Sequence, residues 1–423
     1  MNILKIEFYI YPLLIVGNRI LVFVLFLILI GTLLQYSQNA EAGILKVWDG
    51  GAGTDNWSDG DNWNPNGVPS SGDVILIDDV GGINTIVHLN IDFTLTSAGS
   101  LTIDSGDSLI IDSGKTLTND LSNIENNGNI TIAGTLINSN SIFVKSTFLN
   151  NGTIDVSAEG ILSNNRAGEF TNNGIIINKG NFTSGIGSAP TGGTVFNNGT
   201  ITNDNFMFGE NGLLSNNPSG VINNNGNFDM SFFLTLENQG MFNNNLGGVI
   251  TTFQPQISNT GTMNNEGSIT LENFATNFVN DGTVNNKGIG IIGITDSANF
   301  VNNNLINNEG LVENFVEIVN NGIINNLCKG SINPFGIISG NGIVNEIPCP
   351  NCASTVPDSG KWAITESCTI SSNIIPPGNV VINNDSLVTI ESNNLIIPNG
   401  SNITIKFGSG ILIKSGATLI IQH

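Results

Sequence analysis

Residues 48–63 hold three of the chain's four tryptophans, Trp48, Trp57 and Trp63, interleaved with four aspartates, Asp49, Asp55, Asp59 and Asp61. Carboxylates at such spacing suit a hard, oxygen-ligated cation, and calcium is the one cofactor they suggest. Gly50 to Ser58 fits the calcium nonapeptide G-G-x-G-x-D-x-U-x, with Trp57 as its large residue. That motif works when tandem turns share ions, and here it stands alone. Asp59-Gly60-Asp61 opens like an EF-hand loop, but Ser70 occupies the twelfth position, where glutamate is required. The tryptophans have two uses to choose between. They can be platforms for sugar rings, or they can plug the end of an apolar core.

The remaining chain offers little for catalysis. Its histidines are His88 and the terminal His423, so a histidine-based triad is not expected. Asp78 and Asp79 are paired carboxylates, yet neighbours on a strand point to opposite faces, and a glycosidase needs two that face each other. The expectation is a protein without enzymatic activity. Cys328, Cys349, Cys352 and Cys368 are spaced C-x20-C-x2-C-x15-C. In the cytosol this would suggest zinc; outside the cell an even number of cysteines reads first as two disulfides. Cys349 and Cys352 are expected to take Cys328 and Cys368 as partners rather than each other, with a redox Cys349-Pro-Asn-Cys352 as the alternative.

Charge narrows the partners. The net charge is −22, and without residues 1–42 the chain still has 10 basic and 32 acidic residues, with Arg166 the sole arginine. Nucleic acid and anionic lipid require clustered Lys and Arg, so nucleic acid is not expected as a partner. At the N-terminus, Lys5 and Arg19 flank two apolar stretches, and Ala40-Glu41-Ala42 matches a small-x-small cleavage pattern. The longer stretch, Ile20 to Leu34, has 15 residues, short of the roughly 20 that span a bilayer. Residues 1–42 read as a signal peptide, or as an uncleaved anchor that would be the only membrane attachment. Either places the remainder outside the cytoplasm. Eight N-x-S/T sequons, at Asn56, Asn129, Asn151, Asn181, Asn198, Asn384, Asn399 and Asn402, permit glycosylation there.

The elements that position these residues are repeated. One phrase recurs with its glycine at Gly128, Gly152, Gly174, Gly199, Gly226, Gly261, Gly282 and Gly322, as in "NNGNITI", "NNGTIDV" and "NNGTITN". Steps of 20-odd residues indicate a solenoid. Apolar residues alternate over short runs, such as Ile130 and Ile132 or Ile154 and Val156, which marks strands with one buried face. The expected fold is all-β, a right-handed parallel β-helix of roughly nine coils between Gly128 and Gly322, about 43 Å long at 4.8 Å per coil. Asn and Gly are expected at the corners because both tolerate left-handed backbone. One Asn of each Asn-Asn pair is expected to stack on its copies as an amide ladder.

The start of this body is echoed at its end. "SLIIDSGKTLTN" (108–119) aligns with "GILIKSGATLII" (410–421), and "VPSSGDVILI" (68–77) resembles "IPPGNVVIN" (375–383), with Trp362 upstream of the second copy. A first coil exposes strand edges and the end of its core, so Trp48, Trp57, Trp63 and Trp362 are assigned to caps. The boundaries that follow are a cap over 43–82, a solenoid over 83–347, a Cys-containing junction over 348–370 and a second solenoid unit over 371–423. "NWSDGDNWNPNGVPSSGDVILID" resembles the opening of extracellular β-helical surface proteins of the autotransporter and haemagglutinin-like adhesin kind. That resemblance implies a right-handed parallel β-helix that serves as a surface scaffold or adhesin, with cell-surface glycans or other surface proteins as partners. The chain departs from autotransporters in showing no C-terminal membrane-barrel pattern. A carbohydrate-active lyase or hydrolase, or a glycan-binding module, is the competing expectation.

Overall fold

The computed structural model describes residues 43–78, 84–139, 146–185, 192–273, 275–333, 335–383 and 386–422. The signal segment expected at 1–42, together with Asp79, Asn384 and His423, lies outside the described residues. No helix among the described residues is long and apolar enough to cross a membrane.

The chain is a parallel β-solenoid with three strands per coil. The strands stack into three sheets of 15, 13 and 12 members. In one coil, Thr147–Asn150 belongs to the first sheet, Thr153–Val156 to the second and Ile161–Asn164 to the third. A strand of four residues turns its second and fourth side chains inward, as in Thr200–Asn203 with Ile201 and Asn203 buried. Register is kept position by position. Ile154 pairs with Ile176, then Ile201, then Ile222, so one apolar column runs through the second sheet. Aromatic rings stack in the same way, Phe148 on Phe170 and Phe278 on Phe300, each with centroids 4.7 Å apart. Burial of such a side chain stabilises by roughly 1.5–3 kcal/mol, and this column repeats it in every coil.

The fourth position is where polar chemistry enters the core. In the first sheet it is Asn126, Asn150, Asn172, Asn197, Asn216, Asn238, Asn259, Asn280, Asn302 and Asn320. Each Nδ2 from Asn126 to Asn302 donates to the Oδ1 of the next coil at 2.7–2.8 Å, and Asn320 ends the ladder on Ile343 O at 3.1 Å. The second amide hydrogen crosses the corner to a backbone carbonyl of the next coil: Asn126 to Thr153 O at 3.1 Å, Asn172 to Thr200 O at 3.2 Å, Asn197 to Val221 O at 3.2 Å. A second buried ladder runs from Asn178 to Asn326 in the second sheet and ends on Glu346 Oε2 at 2.7 Å. Buried amides are tolerated because within each ladder, short of its last amide, both amide hydrogens find acceptors, and only the first oxygens, at Asn126 and Asn178, are left without a partner.

Two expectations need correction. The other Asn of the pair also forms a ladder, on the outside. Asn151, Asn173, Asn198 and Asn217 each donate to the preceding coil, at 2.6–2.8 Å. A further outer ladder links Asn223 to Asn345 along the second sheet. Adjacent residues face opposite sides, so the Asn-Asn pair serves one ladder within and one without. The corner glycines, in turn, are not left-handed: none of the eight named above has positive φ. They are glycine because coils touch there. A Cβ on Gly152, Gly174 or Gly199 would lie closer than 3.0 Å to the glycine carbonyl of the coil beneath.

Left-handed backbone is used elsewhere. All nine non-glycine residues of positive φ among the described residues, Leu121, Phe232 and Phe233 among them, sit at the corner that leads from the third sheet back to the first.

A second, smaller core gathers Cys352, Trp362, Ile364, Cys368, Ile370 and the apolar residues that follow them up to Ile397. Its first strands are Trp362–Ile364 and Cys368–Ile370, which pair with Val380–Ile382 and Leu387–Ile390.

Candidate functional site

The first coil shows what the aromatic segment touches. Leu45–Trp48 pairs in parallel with Val74–Ile77 on one side. On its other side it takes Trp63 and Asn64 antiparallel, and this reversal ends the first sheet. The edge of the second sheet is closed by the same segment, where Trp57 N donates to His88 O at 2.9 Å and His88 N to Asp55 O at 2.7 Å. Trp48, Trp57 and Trp63 are buried. Trp63 meets Trp48 edge-on at 5.0 Å and Trp57 at 4.8 Å, and Trp57 lies 4.9 Å from Phe93 of the first coil. The Trp63 indole donates to Trp57 O at 2.9 Å. Rings packed like this present no face to a sugar. In the second unit Trp362 is also buried, and its Nε1 donates to Thr355 Oγ1 at 3.2 Å.

The aspartates are spent separately. Asp49 Oδ1 accepts from Gly51 N at 3.0 Å, Asp59 accepts from Thr54 Oγ1 at 3.1 Å and from Asp61 N at 3.4 Å, and Asp61 accepts from Asn66 Nδ2 at 2.8 Å. Asp55 contributes its carbonyl to the sheet edge. Among the described residues no three His, Cys, Asp or Glu side chains gather so that they could hold a metal ion. The nonapeptide occurs once, and its turn is used to cross the open end of the solenoid, so the four carboxylates are not drawn toward one point.

One residue of the cap gave no signal by motif. Lys46 is 4% exposed, and its ammonium donates to three successive carbonyls, Pro65 O at 2.7 Å, Asn66 O at 3.2 Å and Gly67 O at 2.8 Å. A buried ammonium requires such partners. It pins the loop that carries Trp63 back across the first strand. Lys46→Met keeps the stem and strands three acceptors, so it is expected to destabilise the cap by about 2 kcal/mol. Hydrogen exchange should report faster opening of residues 60–67 with the distal coils unchanged.

At the other end, Cys328 bonds to Cys349 and Cys352 to Cys368, and no described cysteine is free. Cys328 follows the last strand of the second sheet's Asn ladder, so one bond ties the junction to the rod and the other closes the second core. A cleft of about 580 Å³ is lined by Glu266, Lys287, Glu309 and Lys329 of the rod and Phe407 of the second unit. Lys287 and Glu266 neutralise each other across 3.7 Å.

Residues 47–165 match a family model described as a domain of unknown function (DUF8693), a span of less than half the chain. No curated protein matches the chain. A solved structure of a TibA fragment, hyper-glycosylated by TibC catalysis, is similar at 13% sequence identity. It covers 82% of this chain and 97% of that chain, with a TM-score of 0.28. The fold rests on the strand pairing itself.

Proposed function

We propose that this chain is a secreted or cell-surface β-solenoid with a structural and adhesive role, and that it is not an enzyme. The observation that carries the reading is the unbroken set of amide ladders. Ten stacked inner Asn in one sheet, with a second buried ladder beside them, commit the chain's polar residues to a long, regular rod and its repeating faces. The aromatic cap supports it, since sealing the first coil keeps the exposed edge from pairing with other chains. Two disulfides suit an oxidising compartment outside the cytoplasm. The partners envisaged are surface glycans or other surface proteins.

The test is to incubate the mature protein with a panel of polysaccharides, with and without calcium. Release of reducing ends and of unsaturated products is measured beside binding on a glycan or protein array. The reading expects no turnover on any substrate and binding that is indifferent to calcium. Turnover on one polysaccharide would replace it with the carbohydrate-active alternative.

A further inference from the structure

The corner between the third and first sheets differs from the rest of the surface. From the coil of Phe232 to the coil of Phe335 it carries Phe232, Phe233, Phe253, Phe315 and Phe335, which are 47%, 56%, 40%, 49% and 76% exposed. They form two platforms. Phe232 and Phe253, one coil apart, lie 5.4 Å apart at 63°, and Phe315 and Phe335 are stacked at 5.9 Å and 10°. Monomeric surfaces seldom gather apolar rings in a line. Phe232 and Phe233 hold φ of 46° and 65° to do so, a backbone that costs a bulky residue about 1–2 kcal/mol.

Charge along the same strip has one sign. Glu210, Asp229, Glu272, Asp296, Glu313 and Glu317 lie on the third sheet's outer face or on this corner, and none makes an ion pair among the described residues. The basic residues between 206 and 339 are Lys287 and Lys329. Both sit at a different corner, between the second and third sheets. Aromatic faces flanked by carboxylates attract cations twice, by the ring quadrupole and by direct charge. A neutral sugar would stack on the rings and donate hydroxyls to the carboxylates but gain nothing from their net charge, and an acidic one would be repelled.

We infer that this strip docks an extended, arginine- or lysine-rich polypeptide segment. Five coil steps separate Phe232 from Phe335, roughly 24 Å at 4.8 Å per coil, the reach of about seven extended residues. The inference deepens the adhesive reading by naming a partner chemistry. Binding is read independently of turnover, so either idea can fail without the other.

The experiment measures the Kd of a fluorescent eight-residue oligo-arginine peptide for the full mature chain, at low and at physiological salt. Phe315→Ala with Phe335→Ala, or Phe232→Ala with Phe253→Ala, leaves the net charge untouched. Each pair is expected to raise Kd about tenfold, about 1.4 kcal/mol, the scale of two exposed cation–π contacts. Glu313→Gln with Glu317→Gln should weaken binding more than Glu125→Gln with Glu159→Gln, which removes equal charge elsewhere. Thermal melts checked against the parent chain confirm that each variant is folded. Ring variants that bind like the parent chain, or affinity that follows net charge alone, would overturn the inference. So would loss of a neutral-glycan array signal in the ring variants with peptide binding intact, which would reassign the strip to a glycan.

Discussion

Asn197→Asp should lower the stability of the rod by about 5 kcal/mol, although it changes one NH₂ to an oxygen. Asn197 is wholly buried and donates to Asn216 Oδ1 at 2.8 Å and to Val221 O at 3.2 Å. A carboxylate cannot donate. Two acceptors would be left facing it, each at a cost of about 1–3 kcal/mol, and a buried charge would be added. Asn198→Asp makes the same change one residue on, in the outer ladder, where water solvates the new charge. Its expected cost is under about 0.5 kcal/mol. Because each coil contacts only its neighbours, the loss should be local. Denaturant melts, with hydrogen exchange over residues 172–221, would show it. Equal effects from the two variants would refute the inner and outer assignment.

Gly174→Ala should cost about 4 kcal/mol, a magnitude that calls for a specific steric cause. The added carbon would lie closer than 3.0 Å to Gly152 O and to Asn151 backbone atoms. Relief requires the coils to separate at a corner where Gly174 N donates to Asn150 O at 3.0 Å and Thr200 N to Gly174 O at 2.9 Å. Gly114→Ala is the control. Gly114 has φ of 73° and nothing within 4 Å of its would-be Cβ. Only backbone strain of about 1 kcal/mol applies there. If Gly114→Ala proved the more harmful by melting temperature, the corner glycines would be conformational after all.

The contrast shows where sequence reasoning reaches and where it stops. The parallel solenoid is legible because its signals are local: alternation within four residues, and a phrase that returns every 20-odd. The reason for Gly174 is not local. Its neighbour in space is Gly152, and only stacking reveals that a carbonyl sits where a side chain would be. The outer Asn ladder was missed for the same reason, since Asn198 looks like a turn residue until Asn173 and Asn217 are placed above and below it. In the cap, Trp48, Trp57 and Trp63 drew attention by type, but Lys46 had no motif to mark it. The aspartates show the reverse case, a pattern that resembles a metal loop while Asp49, Asp59 and Asp61 accept from local partners and Asp55 gives its carbonyl to the sheet edge. Phe232, Phe253, Phe315 and Phe335 stand 21, 62 and 20 residues apart, near multiples of the repeat, but only the strand pairing shows that they share one corner.

The two ladders of the Asn-Asn pair run in opposite senses, inner amides donating to the following coil and outer ones to the preceding coil. Aligned amide dipoles add, as they do along a helix. A rod with all its side-chain amides in one sense would build opposite poles at its ends, stronger with every coil. Opposed columns cancel in the coils that carry both, from Asn127 to Asn217 along the first sheet. Coils of that paired kind can therefore be gained or lost without adding to the polarisation of the rod.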